Sequence, residues 1–519
     1  MSAANPSRVA VGVGLALALL CLVVGWPALQ APTAQALGGG GGDLNGLAWT
    51  LWRVTTALPS VPVHHPGIQW PAGAHLAPVA LPQALLAAPV TLTLGPVAAV
   101  SLLHGLHIAL AGGLTALWAA RRGLGLAAAT AAGGAFGLSP VLLASVHNGN
   151  PDVTPLFWLP LAAVLSGVAA DRWRAAIGLG LTLALAPGWS PYVGVMAAIV
   201  ALVMTPLPRT PSAQARVGLA AGFGVVGMLA WAWFYTGGTA GETALVLKRA
   251  ATPVAPGSAS LRGFLDGAAF GGGADGWSVH RWYLGGTAAA GAGLGVWRLG
   301  GRALRPLLLV LLGAVLALGP VLQWDGSPVS LGGRHLALPG ALWIQVPGLD
   351  GLRLVWRYAA LASLGVAMLL AHGVPGLPTW ARRAVPLLVA LDLLFLGGGA
   401  ADLRTGPVRD DGGCVLLTGR EHGPVLALPH DHEERSLLGQ TCHGMPVAGS
   451  LNRVPGRTVQ AAVATGPSAL RELGFRWLLL DTGAPGHGGD EARRVGAQAS
   501  DVVVAREGDI LLVDLGRLP

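Results

Sequence analysis

The chain has 519 residues, of which 53% are hydrophobic and only 11% charged, where an ordinary soluble domain is about a quarter charged. That balance excludes a single water-soluble globule. The formal charge of +8 comes from basic residues scattered in ones and twos between apolar runs; this is the pattern of membrane topology signals, and no nucleic-acid partner is expected from it.

A hydrocarbon core about 30 Å thick needs roughly 20 apolar residues per helix. Runs of that kind fall, in chain order, at 9–29, 97–120, 124–146, 154–170, 175–187, 191–205, 217–235, 282–299, 306–322, 354–374 and 384–400. The fifth and sixth are short and are separated only by Pro187 to Pro191, so they read either as one broken helix or as two half-crossings. With Arg8 placed inside, alternate loops are basic: Arg121 and Arg122, Arg172 and Arg174, Arg209 and Arg216, Arg298 with Arg302 and Arg305, and Arg382 and Arg383. The positive-inside bias therefore fits eleven crossings and does not fit ten. The first run has a rival reading, because Arg8, the apolar stretch and Ala34-Gln35-Ala36 also look like a secretory signal with its cleavage site, which would make residues 1–36 removable.

The expected architecture is a polytopic α-helical membrane domain over residues 1–400 and a small α/β domain over 401–519 outside the membrane. In the tail, strands are expected at 414–418, 425–428, 477–481, 502–504 and 510–515, with a helix around 467–473. Cys414 and Cys442 lie in this tail, and an oxidising outer compartment would let them pair.

Two acidic residues fall at the outer mouth of the bundle, on different loops. Asp43 lies in Gly42-Asp43-Leu44-Asn45, soon followed by Trp49 and Trp52; Asp152 ends His147-Asn148-Gly149-Asn150-Pro151-Asp152. Each reads either as a loop or helix-capping residue or as part of a site. His104 and His107, within the second run, read as histidines hydrogen-bonded inside the bundle or as metal ligands. His430-Asp431-His432-Glu433-Glu434 has metal-binding residue types, but neighbours on one turn do not converge on an ion without partners from elsewhere. Trp189 and Tyr192 read most simply as interfacial belt residues.

The arrangement resembles the GT-C class of membrane glycosyltransferases over most of the chain. These have many helices, a long first outer loop with an acidic residue just past the first helix, a second acidic position in the next outer loop, and often an outer C-terminal domain. Asp43 and Asp152 match the two acidic positions. Leu352-Arg353-Leu354-Val355-Trp356-Arg357-Tyr358 looks like a segment of bacterial GT-C-like proteins, as do Leu428-Pro429-His430 and Gln440-Thr441-Cys442-His443-Gly444-Met445-Pro446-Val447 with Gly449 and Arg453. The resemblance implies transfer of a sugar from a polyprenyl phosphate lipid to a glycan or protein acceptor at the outer face of the bacterial cytoplasmic membrane, with the N-terminus inside. It makes Asp43 and Asp152 the catalytic carboxylates, Asp43 the general base. Arg353 and Arg357, four apart and expected on one helical face, become the cations for the donor phosphate. Lys248, Arg249, Arg281 and Arg334 are weaker candidates for that role. Asn45, His147 and Asn150 are expected to shape the acceptor or sugar pocket, with Trp49 and Trp52 beside Asn45. The second loop carries one aspartate where several families carry two acids, which leaves a divalent metal ion open as a cofactor. The competing functions are a secondary transporter or lipid flippase, and an inactive GT-C-like scaffold. A transporter usually carries ionisable groups in mid-membrane, and the helix interiors here offer little beyond the histidines and Asp392.

Overall fold

The structure, a computed structural model, describes residues 5–38, 43–59, 64–75, 80–151, 153–237, 258–266, 271–272, 279–325, 327–343, 352, 354–408, 410, 412–429, 433–449 and 456–518. The chain divides into two compact units. The first comprises Met1–Gln30, Ala36–Gly41 and Ser101–Gly406; the second comprises Ala31–Gln35, Gly42–Val100 and Pro407–Pro519.

The first unit is helical. Among the described residues, six helical stretches are long and apolar enough to cross a membrane: Pro6–Val24, Pro96–Arg121, Leu126–Asn148, Pro211–Phe234, Gly286–Ala317 and Val355–Gly376. Shorter apolar helices span Trp158–Ala169 and Pro191–Met204. The ambiguous fifth and sixth runs are two separate helices, Trp173–Trp189 and Pro191–Met204, broken at Ser190, whose extended backbone ends the first and whose hydroxyl accepts from Val193 N–H to cap the second. Helix Ala359–Gly373 lies at the centre, buried along nearly its whole length. Helices Gly286–Leu299, Leu304–Ala317 and Leu126–Gly137 pack around it. Close approach there depends on small residues: a Cβ at Gly313 would meet the Ala362 backbone, and one at Gly365 the Pro306 carbonyl. Large apolar side chains such as Leu202, Val226, Leu229, Leu387 and Phe395 stand exposed. Lipid offers them an apolar surrounding that water would not.

The second unit is built on a four-stranded mixed sheet in the order Val425–Leu428, Trp477–Asp481, Ile510–Asp514, Val503–Glu507. The first pair is parallel, the other two antiparallel. Alternate residues go to opposite faces. Leu426, Leu428, Leu478, Leu480 and Val513 pack with Val459, Val463 and Val495 from helices Arg457–Thr465 and Gly486–Gln498. Val425, Trp477, Leu479 and Leu512 pack with Trp49, Ile68 and Leu437. The unit thus takes in more chain than 401–519, and the reason is physical. Trp477 to Leu480 is apolar on both faces, so the sheet needs two covering layers, and the second is completed by residues from 43–75.

Two side-chain links hold that second layer. The Trp49 indole N–H donates to Gln440 Oε1 at 2.8 Å, and the Gln440 amide donates to the carbonyls of Gly67 and Met445 at 2.8 and 2.9 Å. Cys414 and Cys442 form a disulfide, which ties helix Gly413–Leu416 to helix Glu433–His443. The strand expected at 414–418 is therefore replaced by a helical turn: Asp410 accepts from Cys414 N–H at 2.6 Å and caps it. Helix Leu81–Leu94, inside the first long loop, was not expected.

Candidate active site

Asp43 is the first residue of helix Asp43–Ala57 and is half-buried. The free N–H groups of a helix start favour a carboxylate there. Asn45 lies one residue further along the first turn, also half-buried. Trp49 is fully buried and bonded to Gln440, and Trp52 is partly buried against the same core. Trp49 is therefore a structural anchor and not the open pocket wall expected beside Asn45. Gln440, Met445 and Val447, read as motif residues, have the same kind of role: Val447 N–H donates to Gly67 O and Val447 O accepts from Trp70 N–H, at 2.9 and 3.1 Å.

In the first unit, His147 stands in the last turn of helix Pro140–Asn148, half-buried, and its Nδ1 has no hydrogen-bond partner among the described residues. Asn150 is 3% exposed; its N–H donates to Ser145 O at 2.9 Å and its carbonyl accepts from Thr154 N–H at 3.3 Å, closing the turn that leads out of the helix. Asp152 lies outside the described residues. The chain then enters helix Trp158–Ala169 through Phe157 and Trp158. Both rings pack on Trp189, at centroid distances of 5.4 and 6.0 Å, and His107 joins them at 5.6 Å from Phe157 and 5.5 Å from Trp189.

Trp189 and Tyr192 flank the break at Ser190. Tyr192 is buried, and Trp189 is enclosed by the ring cluster just described, so the pair is not an interfacial belt. The Arg357 guanidinium lies over the Tyr192 ring, 4.4 Å from its centroid, and the Tyr192 hydroxyl accepts from Leu354 N–H at 3.0 Å. Arg357 is 4% exposed, and such a cation needs a compensating surrounding, which the aromatic face partly supplies. The break at 187–192 thus has Phe157 and Trp158 at one of its ends and Arg357 at the other. Arg353 lies outside the described residues. Leu354 is not helical, and Val355 is the first residue of the 3₁₀ turn that carries Arg357.

Gly38 connects the chain after the first helix to this region. It has φ +84, and a Cβ would collide with the Val146 carbonyl, so only glycine fits. Its N–H donates to Arg404 O at 2.9 Å. Just before it, Leu37 O is bonded to His104 Nδ1 at 3.0 Å and Leu37 N–H donates to the Ser101 hydroxyl at 3.0 Å.

Of the remaining cationic candidates, Lys248 and Arg249 lie outside the described residues and Arg334 sits in an exposed hairpin. Arg281 is engaged with the buried Asp402, Nε to Oδ2 at 2.9 Å. Burial pushes the Asp402 carboxyl up to about 6 against the opposing pull of Arg281. Asp392 accepts from the Tyr283 hydroxyl at 2.9 Å and from Thr287 N–H at 2.6 Å, where it caps helix Gly286–Leu299. Sequence reasoning missed these pairings because their partners are more than a hundred residues apart. His430, Asp431 and His432 lie outside the described residues, and among the described residues no three metal-binding side chains gather.

No family model matches the chain, and no curated protein matches it. Solved structures do. The mycobacterial arabinofuranosyltransferase AftD superposes with a TM-score of 0.57 at 16% identity, over the whole of this chain and 40% of AftD; its R1389S mutant gives 0.56 at 14% identity, over 93% of this chain and 37% of the other. The oligosaccharyltransferase of Archaeoglobus fulgidus in its apo form gives 0.51 at 12% identity, over 91% of this chain and 69% of that enzyme. This chain therefore spans less than half the length of AftD. Both neighbours are GT-C glycosyltransferases, and the fold of this membrane protein is the GT-C fold.

Proposed function

We propose that the protein transfers a sugar from a polyprenyl-phosphate-linked donor to a glycan or protein acceptor at the outer face of the bacterial cytoplasmic membrane. The observation that supports this reading is the gathering at the 187–192 break: Phe157 and Trp158 pack on Trp189, and buried Arg357 rests on Tyr192. Such a site needs a carboxylate to take the acceptor hydroxyl proton, a cation for the leaving phosphate and an apolar path for the lipid tail. In the proposal Asp43 is the general base, Asp152 the second carboxylate, Arg357 the main phosphate ligand with Arg353 assisting, and Asn45, His147 and Asn150 the polar lining of the sugar or acceptor pocket. No step of the proposal runs through a divalent ion. The accompanying topology is eleven crossings with the N-terminus inside and the α/β unit outside.

The hydrogen bonds of Asp392 and of His104 Nδ1 within the helical unit support this reading over a transporter, because they tie these polar groups to neighbouring elements of the bundle. A map of the purified chain in nanodiscs with added polyprenyl phosphate tests it: phosphate density within hydrogen-bond reach of Arg357 is expected. A lipid phosphate bound elsewhere, with none near Arg357, would favour the flippase or scaffold reading.

A further inference from the structure

We propose that five exposed tryptophans, Trp26, Trp173, Trp233, Trp297 and Trp380, dock in the two headgroup layers of a phospholipid bilayer and fix the level at which the helical unit sits in it. This goes beyond the transferase reading and does not depend on it. Each of the five is at least 49% exposed, and each stands at or near the end of a helix. An indole has a flat apolar body and one polar N–H, so it is best placed where hydrocarbon meets headgroup. The interfacial role that buried Tyr192 and enclosed Trp189 cannot fill is thereby carried elsewhere.

Contacts between the helices sort these residues into two levels. Helices Trp173–Trp189 and Pro211–Gly237 lie side by side and run in one direction, since a Cβ at Gly180 would meet Phe223 and one at Gly188 would meet Trp231. The Arg216 guanidinium is 5.5 Å from the Trp173 ring centroid, so these two share one end and Trp233 stands at the other. Helix Pro191–Met204 returns to the Trp173 end, where Arg305 donates to Met204 O at 3.5 Å. Arg305 opens helix Leu304–Ala317, and Trp297 lies in the last turn of the helix just before it. A Cβ at Gly376 would collide with the Arg298 guanidinium, which brings Trp380, four positions on, to the same level. At the opposite level, a Cβ at Gly105 would touch Cys21 and His107 meets Trp189 at 5.5 Å, so the end of helix Pro6–Val24 and Trp26 lie with Trp233.

Two helices measure the distance between the levels. Trp233 is 17 positions beyond Arg216 and Trp26 is 18 beyond Arg8, which at the α-helical rise is about 26 and about 27 Å. No charged residue interrupts either stretch. Leu219, Val226 and Leu229 stand exposed along the first, and Val11, Leu15 and Leu19 along the second. A bilayer's hydrocarbon core is about 30 Å thick, and about 27 Å in thinner membranes. The tryptophans are therefore one hydrocarbon thickness apart. They are also spread over five helical segments, whereas a protein partner would cover a single contiguous patch.

Depth-resolved quenching tests the proposal. Full-length protein is reconstituted in phosphatidylcholine liposomes whose acyl chains carry bromine either close to the headgroup or close to the chain end. Indole emission is compared between the parent and a variant combining Trp26→Phe, Trp173→Phe, Trp233→Phe, Trp297→Phe and Trp380→Phe. The emission that the variant loses is expected to be quenched at least twofold more strongly by the headgroup-side bromines than by the chain-end bromines. Should the fivefold variant not fold, Trp233→Phe and Trp297→Phe, one from each level, are read singly against the same criterion. Equal quenching by the two lipids, stronger quenching by the chain-end bromines, or a lost component that neither lipid quenches, as when a second copy or another protein covers the rings, would each overturn the proposal.

Discussion

Replacing Arg357 by Gln separates its structural contribution from its proposed chemical one. The guanidinium sits 4.4 Å from the Tyr192 ring centroid and is 4% exposed, and a desolvated cation–π contact contributes about 2 kcal/mol. The variant should therefore lose stability of about that size whatever the function. If Arg357 also holds the donor phosphate, it loses a charge-assisted hydrogen bond worth about 1.5–3 kcal/mol, which is roughly a 10- to 150-fold weaker affinity for polyprenyl phosphate. The assay is equilibrium binding of that lipid to purified chain in nanodiscs, alongside a thermal melt. Tyr192→Phe is the control: it keeps the ring face and removes the hydroxyl that accepts from Leu354 N–H, costing about 1 kcal/mol of stability, and its lipid affinity should stay near that of the parent. A folded Arg357→Gln protein that binds the lipid as tightly as the parent would refute the phosphate role and leave Arg357 a packing residue.

Three further outcomes are expected. Without reduction, thiol reagents applied to denatured protein should label Cys21 alone, and replacing Cys414 and Cys442 by Ala should destabilise the α/β unit by about 3–4 kcal/mol, from a sequence separation of 28 residues; labelling of all three cysteines would remove the bridge. Gly38→Ala forces an alanine into a left-handed conformation and against the Val146 carbonyl, so it should lose at least about 2 kcal/mol in thermal unfolding, whereas Gly123→Ala, where nothing stands in the way, should lose only the conformational part. His443 is held down to about 4, first by burial and then by the charge of His422, with its Nδ1 accepting from Met445 N–H. The unfolded chain therefore takes up the proton first. Stability from this group is complete above about pH 6.5 and is lost as pH falls toward 4, by up to about 3 kcal/mol; melts of His443→Gln over the same range should show a flatter dependence.

The helices were legible because each apolar run imposes its own local structure, and Pro6–Val24, Pro96–Arg121 and Pro211–Gly237 lie close to their expected bounds. Helix Leu81–Leu94 escaped notice because it is short and carries Pro89, and the loop around it drew attention to Asp43 instead. The error at 414–418 arose because Cys-Val-Leu-Leu has strand composition, while the deciding contact is the cap from Asp410. The second layer of the sheet left one trace in the sequence: Trp477 to Leu480 is apolar on both faces. Which residues would cover it could not be read, since Trp49 and Gln440 are separated by 391 positions. The same holds at the site. Asp43 shows as an acid at a helix start, whereas the contact of Arg357 with Tyr192 depends on how the helix break is placed, which is a property of packing.

If Asp43 acts as general base in sugar transfer from a polyprenyl-phosphate donor, turnover of that donor by the purified protein reports it directly. Lipid-linked sugars extracted from the source membranes are incubated with parent, Asp43→Asn and Asp152→Asn chains, and mass spectrometry follows the conversion of polyprenyl-phosphate-sugar to polyprenyl phosphate. The parent should consume one sugar-bearing species, and Asp43→Asn, which keeps size and removes the base, should do so about a hundredfold or more slowly while melting at a similar temperature. Donor turnover at the parental rate by a folded Asp43→Asn protein would contradict the claim.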